Sequence, residues 1–329
     1  MQEGVSVELR HVQESGGTYF VSLPKNWVRR VGVSKGAVLA VVEAQDGCLT
    51  LDARFDHRKF SQPVTVVPSP HLQRELTGKY LLGADTILIQ GGNRLTPEVS
   101  ETVRQTARRL IGLEIVEEDS QKILLQCLLD PSGFPAQRVL RREYLFAAGM
   151  HRDALSALDE GDTGLAKSIV ERDDEVDRLY FLLVRLLRTQ VLNPHLSEKM
   201  GMSLIDCLDY RLVASYVESI GDCAVRMARS VIEFEGARPP LELLDVLRQV
   251  GQQSYGMHDT AMKAIFSKDL GLVGDVLERN AQVRALLKTL ETSLSGKPPV
   301  VITFCSSIAS ALGNIVDFAV DLADIVMPR

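Results

Sequence analysis

The sequence has no cysteines at a metal-binding or redox spacing. Cys48, Cys127, Cys207, Cys223 and Cys305 are odd in number, scattered, and never in a Cys-x-x-Cys pattern. That argues against a disulfide framework and a zinc site, and for a reduced, cytoplasmic chain. No apolar run approaches the roughly 20 residues that span a bilayer, so stable membrane insertion is not expected. Residues 1–13 carry acids and lack the apolar stretch of a secretion signal. Surplus positive charge is missing too: 37 Lys and Arg face 43 Asp and Glu, a net charge of −6. Bulk charge therefore argues against sequence-independent nucleic-acid binding by the whole molecule, while leaving room for a local basic patch. Catalytic signatures are also lacking. No Gly-x-Ser-x-Gly, phosphate loop or dinucleotide fingerprint sits in a strand–turn–helix context, and Gly91–Asn93 reads as a turn. The chain is not expected to be an enzyme.

What is present is a 329-residue, 36.3 kDa chain with 45% apolar and 24% charged residues, the composition of a soluble protein of two or three domains. Residues 1–60 hold short strand-like runs at 5–9, 18–23, 37–44 and 48–51, with one amphipathic segment at Lys25–Val31. Residues 61–132 alternate strand and helix signals: strands at 63–68, 86–90, 113–118 and 122–129, and a helix over 96–110 started by Pro97. The turn-rich stretch 130–135 marks a boundary. Beyond it, 3.6-residue periodicity runs to the C-terminus.

That helical region repeats itself. An offset of 107 places Gly149-Met150-His151 over Gly256-Met257-His258, Asp162 over Asp269 and Glu171-Arg172 over Glu278-Arg279. An offset of 95 matches the helix from Cys223 to the one from Phe318. Each copy is about three helices, which predicts two three-helix bundles, 133–238 and 239–329.

The first copy puts acids where a core stripe should run. Asp173 falls four residues after Ile169 and three before Val176, and Asp177 follows one turn on. In the next helix Glu218 and Asp222 are again four apart, flanked by Ala214, Gly221 and Val225. Like charges at this spacing repel by about 0.2–0.5 kcal/mol per pair. A cation bridging the helices would relieve that, as would arginines from other helices; all-oxygen ligation suits Mg²⁺, Mn²⁺, Ca²⁺ or iron. In the second copy the four positions read Asn280, Arg284, Gly313 and Asp317, so metal is not expected there and an Arg284–Asp317 pair is. His151 and His258, on apolar stripes, read as hydrogen-bonded core residues rather than ligands.

The segments EGDTGLAKSIVERDDEVDRL and VESIGDCAVRMA resemble the PhoU phosphate-uptake regulators, whose three-helix repeats carry a (D/E)xxxD motif. The resemblance covers roughly residues 137–328. It implies an all-α pair of bundles and a metal ion (Fe, Mn, Mg or Zn) held by Asp173, Asp177, Glu218 and Asp222; the second copy departs from the motif.

The run GGTYFVSLPKNWVRRVGVSKGAVLAVVEAQDGCLTL resembles an AbrB/SpoVT/MazE domain. Such domains dimerise by swapping hairpins, and many bind DNA. The candidate DNA-binding residues are Arg10, Lys25, Asn26, Arg29, Arg30 and Lys35; no acid lies between Leu23 and Lys35, and Trp27 is the expected core anchor. The alternative is a dimerising fold whose arginines are answered by Glu8 and Glu14.

The fold expected is therefore multidomain: a swapped-hairpin β domain at 1–60, a small α/β region at 61–132 serving as spacer or dimer contact, and the PhoU-like bundles. Taken together, the residues and resemblances imply a cytoplasmic, homodimeric regulator of phosphate uptake that binds operator DNA and senses through its helices, with a phosphate transporter ATPase or sensor protein as a possible partner. The alternatives are an adaptor that does not bind DNA and a Mg²⁺-dependent all-α nucleotide pyrophosphohydrolase.

Overall fold

The computed structural model describes residues 8–43, 47–53, 63–92, 94–130, 133–193, 200–234 and 239–327. Residues 5–7 of the first strand-like run, Asn93, and residues 131 and 132 of the boundary turn lie outside that set. The chain divides into two compact units, residues 1–62 and 63–329.

In the first unit β1 (Gln13–Ser15) pairs with β2 (Thr18–Phe20). The two linking residues, Gly16 and Gly17, have φ of 59° and 79°. Both central positions of a type I′ turn need positive φ, which glycine supplies without strain. Helix α1 (Lys25–Val31) follows Pro24 and stops at Gly32 in the left-handed conformation; β3 (Ala40–Glu43) then pairs antiparallel with β4 (Leu49–Asp52). No described residue of this unit is buried, so Trp27 is only half-buried and does not anchor a core within one chain. Leu9, Val12, Tyr19, Phe20 and Val21 are exposed on it.

The second unit opens with a four-stranded sheet in the order β5-β6-β8-β7, made of β5 (Val64–Val66), β6 (Thr86–Gln90), β7 (Leu113–Glu118) and β8 (Lys122–Cys127). Only β5 and β6 run parallel, joined through α2 (Leu72–Leu81); α3 (Pro97–Arg109) links β6 to β7. Alternation buries Ile87, Ile89, Ile123 and Leu125 on one face, with Leu76, Tyr80 and Val103 of the helices in the same core.

Among the described residues six long helices follow: α4 (Ala136–Glu160), α5 (Thr163–Leu192), α6 (Leu204–Glu233), α7 (Leu241–Ser267), α8 (Leu270–Ser293) and α9 (Pro299–Asp324). The repeat is visible in their starts. Asp162 caps α5 by accepting from the Gly164 and Leu165 amides, and Asp269 caps α8 by accepting from the Gly271 amide. Gly161 ends α4 with φ of 68°; its equivalent at the end of α7 is Lys268, a non-glycine held at φ 58°. The bundles share one hydrophobic core and meet where α4 faces α7 and α6 faces α9. Among the described residues one helix, α9, is long and apolar enough to cross a membrane by length and composition, a test that a buried core helix also passes. One side of it carries Ile308, Leu312, Ile315 and Ala319 into the shared core.

The α/β region is fastened to α5 by Arg185, whose side chain is buried within a run of leucines and valine. Its guanidinium donates to the carbonyls of Tyr80 at 2.7 Å and Ala84 at 2.9 Å, and to Asp85 at 3.0 Å. The Tyr80 carbonyl, in the last turn of α2, also accepts from the Gly83 amide at 3.0 Å, and the α2 dipole favours a cation there.

Candidate functional site

The carboxylates of the first bundle lie where α5 packs on α6. Both helices bury a stripe toward α4: Ile169, Val176 and Leu183 from α5, and Ala214, Val217 and Gly221 from α6. Asp173 and Asp177 ride at the edge of the first stripe, Glu218 and Asp222 at the edge of the second. Gly221 lets the helices close up: a Cβ there would already touch Val176 at 3.6 Å and Ala147 at 3.9 Å.

Their electrostatics follow from that packing. Burial, then the charges of Asp222, Asp177 and Asp174, push Asp173 up to about 6. Burial and the charges of Asp222, Asp177 and Asp173 push Glu218 up to about 7. Asp222 is also raised, by burial and by Asp177, with Arg226 and Arg229 opposing. Asp177 is answered from outside the bundle: its carboxylate accepts from Arg109, at the end of α3, at 2.7 Å. An open groove of about 400 Å³ borders the set, lined by Asp173, Ser219, Asp222, Val225, Arg226, Arg229 and Phe318.

This donor set suits a hard, oxygen-seeking cation by charge and ligand type. As the side chains are placed, no three His, Cys, Asp or Glu among the described residues stand together closely enough to hold an ion. One of the four, Asp177, is engaged by Arg109 instead.

Three residues that no motif marks belong to this neighbourhood. Arg109, at the end of α3, and Arg185, against the end of α2, tie α5 to the α/β region. Glu143, on α4, has 0% exposure, and neither carboxylate oxygen has a hydrogen-bond partner. The offset of 107 carries Glu143 to Val250, so the repeat comparison could have singled it out as it did the other acids.

In the second bundle Arg284 pairs with Asp317, in line with the expectation. The two histidines are fully buried and bonded to each other, His151 Nδ1 lying 3.1 Å from His258 Nε2.

In the N-terminal unit Lys25, Asn26, Arg29, Arg30 and Lys35 are exposed, and among the described residues no ion pair engages the four cations. Arg10 differs: it pairs with Glu8.

The PhoU domain family matches residues 140–231, which fall within α4 to α6 and include all four carboxylates. Among solved structures, PhoU from Pseudomonas aeruginosa superposes with a TM-score of 0.52 at 23% identity, covering 58% of this chain and 93% of its own. The phosphate transport system regulatory protein PhoU from Streptococcus pneumoniae gives 0.52 at 16% identity, covering 58% and 91%. These likenesses show that the helical part has a PhoU fold. No curated protein matches the chain in sequence.

Proposed function

We propose that this protein is a cytoplasmic, dimeric, non-enzymatic regulator of phosphate uptake whose N-terminal unit binds operator DNA and whose first bundle binds a metal ion. The observation that carries the reading is the carboxylate set of Asp173, Asp177, Glu218 and Asp222 in the PhoU-matching bundle of a chain that also bears an exposed basic helix. A bound cation would neutralise the repulsion between α5 and α6 and tie the helices together. The apolar residues left open in the N-terminal unit find their cover in a second copy, as the swapped-hairpin domains it resembles do, which doubles the basic face.

The test is retardation of promoter DNA from phosphate-transport genes. Specific retardation by the native protein, lost in Arg29→Ala/Arg30→Ala with the dimer intact, supports the reading. Equal binding by that variant removes the DNA assignment. A second reading, an adaptor docking on a transporter component, has one observation behind it: Ile205, Leu208 and Leu212 expose a continuous apolar strip on the first turns of α6. Absence of any specific DNA fragment, with retention of a transporter ATPase, would favour it.

A further inference from the structure

Where α3 and β7 meet α5, the second unit has an open groove of about 570 Å³, room for a small molecule rather than a lone ion. Arg104 and Arg108, one turn apart on α3, line it together with Arg178 of α5. Three arginines thus share the groove with one acid, Glu114 of β7. Its apolar lining includes Ile111 and Ile115, both half-buried. The turn that carries Ile111 is pinned, since the Tyr80 hydroxyl donates to the Ile111 carbonyl and the Leu128 amide to the Gly112 carbonyl, each at 2.8 Å. The groove is therefore preformed on its α/β side.

Its cations are under-used. Arg108 is exposed and has no ion pair among the described residues. Arg178 gives Nη1 to Glu175 at 2.8 Å, yet its Nε is buried without a hydrogen-bond partner among the described residues. A buried donor left unanswered on a charged group is costly. Arg104 donates to Glu118 at 2.7 Å and lies 4.0 Å from Glu101. Such half-exposed pairs are weak, and a guanidinium has five N–H donors to share.

We propose that this groove binds a nucleoside phosphate. Arginines suit both parts of that ligand: their planar forks take phosphate oxygens two at a time, and their faces stack on flat rings. Ile111 and Ile115 offer the base an apolar surface, and the Glu114 carboxylate accepts from a ribose hydroxyl or an exocyclic amine. Inorganic phosphate would use the arginines and leave most of the groove empty. The site spans two layers, α3 and β7 on one side and α5 on the other. Arg108 and Arg178 are the chain neighbours of Arg109 and Asp177, which pair across the same junction. A ligand held here adds a second tie between α3 and the helix that carries Asp173 and Asp177. The proposal depends on neither the metal nor the DNA reading.

The experiment is calorimetric titration of the full-length protein with the mono-, di- and triphosphates of adenosine and guanosine, and with inorganic phosphate. EDTA is present throughout, so that no metal carries a nucleotide to the carboxylates. The variants are Arg108→Ala, Arg178→Gln and, to remove the other basic surface, Arg29→Ala/Arg30→Ala; circular dichroism confirms that each folds. The expected result is one nucleotide bound per chain, about tenfold or more tighter than inorganic phosphate. Arg108→Ala and Arg178→Gln should each weaken it by about tenfold, and Arg29→Ala/Arg30→Ala should leave it unchanged. No binding of any of these nucleotides by wild type, or binding that both groove variants retain, overturns the proposal. So does loss confined to Arg29→Ala/Arg30→Ala, which places the nucleotide on the N-terminal unit. Inorganic phosphate bound as tightly as the nucleotides overturns the assignment of a nucleoside.

Discussion

His151 and His258 occupy equivalent places in the two bundles and face each other across the α4–α7 contact, Nδ1 to Nε2, at 3.1 Å. Tyr144 extends the chain, its hydroxyl 3.0 Å from His258 Nδ1 and 3.2 Å from Asp259. One set of neutral tautomers satisfies the geometry. Tyr144 donates to Asp259, His258 Nδ1–H donates to Tyr144, and His151 Nδ1–H donates to His258 Nε2. The atom left over, His151 Nε2, is then a bare acceptor without a partner, cheaper to bury than an unpaired donor.

The pair should make the protein acid-labile. Burial pushes His258 down to about 3 and His151 well below its usual value. A histidine whose folded pKa is depressed contributes stability that is fully present above its unfolded pKa, near 6.5, and is lost as pH falls toward the folded value. Each ring removes about 1.4 kcal/mol per pH unit below that point. Urea midpoints measured from pH 6.5 to 4.5 should fall steeply in wild type and less so in His151→Asn/His258→Asn. Parallel slopes would show that the pair is not responsible.

Much of this architecture is readable in the chain, and the exceptions have physical causes. The short helix at Lys25–Val31 and the strand at Leu113–Glu118 coincide with their sequence patterns because each is bounded by turn residues. Helix α2 goes unread because its inward residues, Leu72, Leu76 and Tyr80, are separated by polar residues and by Gly78, a poor helix former. The four motif acids are legible from spacing, and the buried, unpartnered Glu143 of α4 from the repeat. Arg109 and Arg185 are not: their partners lie 68 and about 100 positions away in sequence, a separation only the folded chain closes. Lys268 is strained for a reason the repeat makes plain, since Gly161 fills the same left-handed turn.

Arg185→Met should loosen the α/β region from the bundle without dissolving the bundle itself. The change takes the guanidinium from the Ala84 carbonyl, and from the Tyr80 carbonyl that also accepts from the Gly83 amide, at a cost on the order of 2–4 kcal/mol. Amide exchange should accelerate across α2 and residues 83–85 while the α7 and α9 amides keep their protection. Uniform acceleration throughout would mean the region is not a separately stabilised layer.

The carboxylate set carries the opposite pH sign. Asp173 and Glu218 have folded values raised to about 6 and about 7. Raised acids contribute stability below their unfolded values that is lost as pH rises through the folded ones. The histidine pair opposes this trend, so the comparison belongs in the His151→Asn/His258→Asn background. There, metal-free protein should melt lower at pH 8 than at pH 5.5, and adding Glu218→Gln should flatten that fall. Added Mn²⁺ should raise the wild-type melting temperature at pH 8 and do little at pH 5.5. A melting temperature indifferent to Mn²⁺ at pH 8 would speak against a cation in this bundle.

DNA binding through Lys25, Arg29, Arg30 and Lys35 would be strongly salt-dependent, because each phosphate neutralised releases condensed counterions. Removing Arg29 and Arg30 from both protomers of a dimer takes away about four guanidiniums that neutralise phosphate. The slope of log affinity against log salt should then shrink by roughly 0.9 for each phosphate left without its cation. Asn26→Ala tests a different role: an amide reading a base edge should weaken operator binding by about 1–3 kcal/mol while leaving the salt slope unchanged. Titrations at several salt concentrations separate the two. A slope equal to wild type in Arg29→Ala/Arg30→Ala would mean that these guanidiniums never meet phosphate, and the exposed helix would then serve the dimer alone.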